Sequence, residues 1–134
     1  MLTKIDHIGI AVKSVDEAAR LYTGPLGLKG MQIEELPDRK LRIALIPVGE
    51  NKVELIEATS PEADIAKFIA KNGEGIHHLA FEVKDIDAAL AKLKAQGVPL
   101  IDETPRDGVG GARIAFLNPK GSKILIELVQ PGKK

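Results

Sequence analysis

Gly75-Ile76-His77-His78-Leu79-Ala80-Phe81-Glu82-Val83 decides the reading of this chain. It is a short apolar run that holds two of the three histidines. The third lies in Ile5-Asp6-His7-Ile8-Gly9-Ile10-Ala11-Val12, a run of the same shape. Each leads into an acidic, alanine-rich segment. The spacing between the two copies is nearly constant. His7 and His78 are 78 − 7 = 71 residues apart, and Val12-Lys13-Ser14-Val15-Asp16 matches Val83-Lys84-Asp85-Ile86-Asp87 at the same offset. Gly27 and Gly97 are 70 apart, and Val53-Glu54-Leu55 matches Ile126-Glu127-Leu128 at 73. A repeat of this kind predicts two modules related by a pseudo-two-fold axis.

Working outward from the two runs gives the elements. Ile5 to Val12 alternates with period two, as a strand does. Asp6, Ile8, Ile10 and Val12 form one face. Ile5, His7, Gly9 and Ala11 form the other, where small residues leave room beside the histidine. Ser14 with Glu17 fits a capping box and opens a helix that stops near Gly24-Pro25. Strands follow over 31–36, 41–48 and 52–57, with turns at Pro37-Asp38-Arg39 and Gly49-Glu50-Asn51. Ser60-Pro61-Glu62 reads as the start of a connector helix that ends at Asn72-Gly73. The second half repeats the order. His77 to Val83 is a strand, and Asp85 caps a helix running to Gln96. Leu100-Ile101 is a short strand or edge segment, and Pro105 to Gly111 is a glycine-rich loop. Strands over 112–117 and 123–129 lead to a frayed tail, Pro131 to Lys134.

The predicted fold class is therefore α+β: two tandem βαβββ modules forming a curved mixed sheet around a metal cleft, with helices outside. The chain is expected to be one domain over 1–134. Module 1 covers about 1–58, the connector helix about 60–72 and module 2 about 75–131.

Bulk properties narrow the function. The chain has 134 residues, 44% hydrophobic, with 19 basic and 19 acidic side chains and no net charge. Charges of both signs are scattered, which argues against nucleic acid or an anionic membrane as partner. Aromatic residues are only 3%, too few for a base-stacking platform. No apolar run is long enough to span a membrane. There is no cysteine, which excludes a disulfide framework and a thiolate metal site. Nothing at the start reads as a signal peptide, so the cytoplasm is the expected location.

A histidine in a strand is more often a satisfied core residue than a ligand, and a glutamate in a last strand more often faces solvent. Glu57, three residues after Glu54, fits that second description. Two histidines and two glutamates in register across a repeat are harder to explain that way. His7, Glu54, His78 and Glu127 all lie in runs rich in Ile, Leu and Val, where an unpaired carboxylate is costly. A divalent cation relieves that cost. Two imidazoles and two carboxylates neutralise it and leave positions open for substrate or water. Cobalt, manganese, zinc and nickel all suit such nitrogen and oxygen donors.

The chain resembles the vicinal oxygen chelate (glyoxalase/bleomycin resistance) superfamily, and within it the methylmalonyl-CoA epimerase family. The resemblance rests on Ile5 to Val12, Val53-Glu54-Leu55-Ile56-Glu57-Ala58 and Ile65-Ala66-Lys67-Phe68-Ile69. It also rests on Gly73 to Ala80, and on Asp102-Glu103-Thr104-Pro105-Arg106 leading to Gly110-Gly111-Ala112-Arg113-Ile114-Ala115-Phe116. It implies that the second histidine of the doublet is the ligand, so the set is His7, Glu54, His78 and Glu127 around one divalent metal ion. Strand phase agrees, since His78 shares a face with Ala80 as His7 does with Gly9. His77 then points with Leu79 and Phe81 toward the helix layer.

The implied reaction is epimerisation of methylmalonyl-CoA at C2 by proton removal and redelivery, through an enolate stabilised by the metal. Glu127 is the first candidate for the catalytic acid/base. Some epimerases carry a second glutamate where this chain has Ile43; Glu54, a bound water or another residue is left for that role. Asn118-Pro119-Lys120 stands where the family commonly has His-Pro-Lys, and the turn Gly121-Ser122-Lys123 is short. That turn is more like glyoxalase I. The runner-up is accordingly glyoxalase I, a lactoylglutathione lyase with the same ligand pattern. Another metal-dependent enzyme of the superfamily comes next, and a metal-free binding protein last. The resemblance implies an acyl-CoA substrate and a homodimer.

Overall fold

The computed structural model describes residues 1–132. The predicted tail therefore lies partly outside the described residues, at Lys133 and Lys134. Among the described residues, eight strands and four α-helices follow in order: β1 (Leu2–Ala11), α1 (Val15–Thr23), β2 (Gln32–Leu36), β3 (Leu41–Val48), β4 (Asn51–Ala58), α2 (Asp64–Asn72), β5 (Gly75–Val83), α3 (Ile86–Ala95), β6 (Arg106–Asp107), β7 (Arg113–Leu117), α4 (Pro119–Ser122) and β8 (Leu125–Gln130). The strands hydrogen-bond in the order β2-β3-β4-β1-β5-β8-β7-β6. This is an α+β fold with a mixed sheet and paired βαβββ modules, as the repeat predicts.

The chain forms two compact units. One is His7–His77; the other joins Met1–Asp6 to the chain from His78 onward. In the first, β1 pairs with β4 in parallel, and β4, β3 and β2 continue antiparallel. Val12, Val15, Ala19, Ala44, Ile46 and Leu55 form its core, where α1 covers one sheet face. In the second, β5 pairs with β8 in parallel, and β8, β7 and β6 continue antiparallel. Its core is Val83, Ile86, Ala89, Leu90, Ala115 and Leu128, under α3. Burying each Ile or Leu of these cores is worth about 2 kcal/mol relative to exposure, so α1 and α3 are held mainly by packing. In the same unit the Thr3 hydroxyl donates to the Glu82 carboxylate at 2.8 Å, which ties the start of β1 to β5.

The helix caps predicted at Ser14 and Asp85 are present, and the one predicted at Ser60 is not. Ser14 Oγ accepts from Glu17 N at 3.1 Å, and Asp85 Oδ1 accepts from Ala88 N at 3.0 Å. A second cap recurs in both units. Glu57 Oε1 accepts from Val15 N at 2.7 Å, and Gln130 Oε1 accepts from Ile86 N at 2.9 Å. The two cap residues are 73 apart, like the glutamates three residues before them. Each last strand thus holds the first free N–H of its own helix. Glu57 is a helix cap rather than a solvent-facing residue.

Three boundaries differ from the sequence reading. The connector helix begins at Asp64, not Ser60. Ser60 Oγ accepts from Glu62 N at 3.3 Å and Ser60 O accepts from Ala63 N at 3.2 Å, so Ser-Pro closes a turn before the helix. Leu100 makes only an isolated bridge to Leu117. Ile101 N and Asp102 N both donate to Phe116 O, so no ladder propagates there. The missing strand of the second module is β6 instead, inside the glycine-rich segment. Gly110 and Gly111 then take φ of 66° and 79°, a left-handed turn that glycine adopts without steric cost. The Asn118-to-Lys123 connection contains a single helical turn capped by the Asn118 side chain, which accepts from Lys120 N at 3.0 Å.

Candidate metal and catalytic site

Register explains how the four predicted ligands are positioned. In the first unit His7 lies beside Lys52 and Gly9 beside Glu54, so histidine and glutamate are diagonal neighbours on one face. Gly9 has no side chain to separate them. His7 Nε2 and Glu54 Oε1 are 3.6 Å apart, with side chains 9% and 12% exposed. In the second unit His78 lies beside Leu125 and Ala80 beside Glu127. Here alanine is the small neighbour. His78 Nε2 and Glu127 Oε1 are 3.0 Å apart, with side chains 5% and 7% exposed. Alternation puts α1 and α3 on the other face of each sheet half, so the pairs face away from the helices.

The donor atoms of His7, Glu54 and His78 suit a metal ion, a group that does not include Glu127. Donors about 2.1 Å from an ion lie about 3.0 to 3.5 Å from each other in octahedral or tetrahedral arrangements. The His7–Glu54 separation of 3.6 Å is too long for a hydrogen bond and lies just beyond that range. Glu127 is buried and Glu54 is only 12% exposed, so both carboxylates call for positive charge nearby. The surroundings sharpen this need beside Glu127, where Ala80, Ile114 and Val129 are buried on the same face.

His77 follows the phase expected of it. Its ring meets the Phe68 ring of α2 edge-on, with centroids 4.9 Å apart and planes at 81°. Ile43, on β3, is 1% exposed and lies opposite Ile56, on the same face as Glu54. The residue there is packed hydrocarbon with no proton to exchange.

Reading the sequence did not single out Arg106 and Asp102 as site neighbours. Both stand in the glycine-rich segment and its approach, where no periodicity marks them. Asp102 Oδ2 accepts from Phe116 N at 2.8 Å and from Arg106 Nε and Nη2 at 3.2 and 3.0 Å. The Arg106 guanidinium carbon lies 5.1 Å from the Phe116 ring centroid. Phe116 meets His78 edge-on at 6.0 Å and pairs in register with Glu127. The available signals were the Asp-to-Arg spacing of four residues and the place of both in a stretch that carries the family resemblance.

Similarity to known proteins covers nearly the whole chain. The model of the Glyoxalase/Bleomycin resistance protein/Dioxygenase superfamily matches residues 6–116. The uncharacterised protein YqjC of Bacillus subtilis (strain 168) is 37% identical over 131 residues, 97% of this chain and 94% of its own length. The crystal structure of hypothetical protein BH1468 from Bacillus halodurans C-125 superposes with a TM-score of 0.94 at 43% identity, covering 98% of this chain and 96% of that one. A methylmalonyl-CoA epimerase solved with methylmalonyl-CoA and NH4+ superposes with a TM-score of 0.91 at 36% identity, covering the same shares.

Proposed function

Because the chain belongs to the Glyoxalase/Bleomycin resistance protein/Dioxygenase superfamily, we propose that it is a metal-dependent epimerase of methylmalonyl-CoA. His7, Glu54, His78 and Glu127 hold one divalent ion in this reading. The observation that carries it is the pair of buried His–Glu contacts at matching register. The donor chemistry of His7, Glu54 and His78 suits such an ion. The choice of substrate draws on the likeness to the epimerase solved with methylmalonyl-CoA.

The chemistry follows from the groups present. The C2 proton of methylmalonyl-CoA lies between a thioester and a carboxylate, and its removal moves charge onto oxygen. The ion, when bound, supplies a Lewis acid that stabilises that charge. Glu127 takes the proton or returns it at a carboxylate oxygen. Its apolar neighbours Ala80, Ile114 and Val129 keep bulk water away from that oxygen. Epimerisation needs a second acid/base group on the opposite face of C2. With Ile43 excluded by its chemistry, Glu54 or a bound water takes that role. A homodimer in the cytoplasm belongs to the same proposal. Among the described residues no helix is long and apolar enough to cross a membrane.

Proton–deuterium exchange at C2 tests the reading. Metal-loaded protein in deuterated water is expected to wash deuterium into methylmalonyl-CoA at a rate proportional to enzyme. Absence of exchange, together with lactoylglutathione formation from the methylglyoxal–glutathione hemithioacetal, would replace the epimerase by glyoxalase I.

A further inference from the structure

We infer that Arg106 is the anion receptor of this site. Its guanidinium takes an anionic oxygen group of the acyl-CoA, a carboxylate or a phosphate. The inference rests on the substrate class proposed above and adds a residue that sets specificity for it.

Three observations converge on Arg106. The first is its face. Arg106 pairs with Ile114, Ile114 with Val129 and Phe116 with Glu127. In antiparallel strands paired residues share a face, so Arg106 stands on the face that carries His78 and Glu127. The second is its orientation. Nε and Nη2 both donate to Asp102 Oδ2, and the same oxygen is fixed by Phe116 N. Asp102 is only 18% exposed, so its end of the contact is anchored. The third is its platform. The guanidinium stacks over Phe116, whose ring edge abuts His78.

A guanidinium held this way has lost most of its side-chain freedom before any ligand arrives. Arginine 54% exposed and otherwise unrestrained would surrender that freedom on binding. The Asp102 contacts use one edge of the fork, and Nη1 is not engaged by them. The planar fork suits carboxylate and phosphate oxygens, and lysine does not reproduce it. Asp102 also balances the charge of Arg106, so the site tolerates the arginine while substrate is absent. In the first unit the matching edge position, opposite Ile43, is Glu34. A cation at this register is thus peculiar to the second module.

The test measures dissociation constants of metal-loaded wild-type protein, Arg106→Gln and Arg106→Lys for three probes. Methylmalonyl-CoA carries both kinds of anion, propionyl-CoA lacks the acyl carboxylate, and methylmalonyl-pantetheine lacks the nucleotide phosphates. Arg106→Gln should weaken methylmalonyl-CoA about tenfold or more, with exchange at saturation changed less than about threefold. Arg106→Lys should recover only part of the loss. If the loss appears with methylmalonyl-pantetheine and not with propionyl-CoA, the group is the acyl carboxylate. The opposite pattern assigns a carrier phosphate. Arg113→Gln removes a charge held by Asp87 on the helix side and should leave all three constants unchanged. Unaltered constants for both Arg106 variants, with an active wild type, overturn this inference alone. A wild type that neither binds nor exchanges methylmalonyl-CoA overturns the proposed function with it.

Discussion

In the first unit the glutamate Glu54 has Gly9 on one side and Leu45 on the other. In the second unit Glu127 has Ala80 and Phe116 at the same register. The backbone plan is shared, while the flanking side chains differ in size and polarity. His7 lies beside Lys52 where His78 lies beside Leu125. The edge strand brings Glu34 to one face and Arg106 to the equivalent place on the other. The second pair is also closer, 3.0 Å against 3.6 Å. The difference teaches that a duplicated strand plan keeps a histidine and a glutamate in matching places, and that the two modules diverge at the neighbouring positions. In the proposed function both modules hold the ion, and the second also moves the proton and receives the anion.

The largest expected effect tests the symmetric part of this comparison. His7→Ala and His78→Ala should each reduce divalent metal from about one per chain to background, measured by elemental analysis after dialysis. His77→Ala should keep the metal and lower stability by about 1 to 2 kcal/mol in urea unfolding, through loss of the edge contact with Phe68. If His77→Ala loses metal and His78→Ala keeps it, the strand phase assigned to the doublet is wrong.

A second pair of variants tests the asymmetric part. Glu127→Gln should slow C2 exchange by about 10² to 10⁴, the usual range for removing an acid/base group. Glu54→Gln should slow it by about tenfold or less, because an amide oxygen still ligates and exchange at C2 needs only the Glu127 base. Equal losses in both variants would mean that the modules share the proton chemistry.

The smallest effect lies in the helix caps. Glu57→Gln places in the first module the cap that the second already uses, and Gln130→Glu does the reverse. A carboxylate at a helix N-terminus is favoured over an amide by about 0.3 to 1 kcal/mol at low salt. Glu57→Gln should therefore lower the urea midpoint slightly and Gln130→Glu should raise it. Changes of the same sign in both would break the equivalence of the two caps.

Much of the fold was legible because its signals are local and repeated. The His7 and His78 runs alternate cleanly, and Ser14 and Asp85 precede apolar helices with the right spacing. The matched His–Glu pairs were legible from that register, since one offset aligned both histidines and nearly the same offset aligned both glutamates. What escaped notice depends on contacts distant in sequence. Glu57 and Gln130 look like ordinary strand ends until Val15 and Ile86, 42 and 44 residues earlier, are seen to donate to them. Strand β6 has two residues, too few for any period, and is held by its partner strand. Ser60-Pro61 carries the local chemistry of a cap, yet the serine spends its oxygen on a turn. The Arg106–Asp102–Phe116 group is assembled from a loop and a strand, and neither announces the other.

The hydrogen bond from Thr3 to Glu82 has a consequence for biosynthesis. It links residues 79 apart, so Thr3 is synthesised well before the strand that holds it. The stretch from His7 to His77 is continuous and can begin to organise while translation proceeds. Met1–Asp6 must wait for the chain from His78, and closing so long a loop slows the pairing. Substitutions within Met1–Asp6 should therefore disturb the unit that resumes at His78, far along the chain from the alteration.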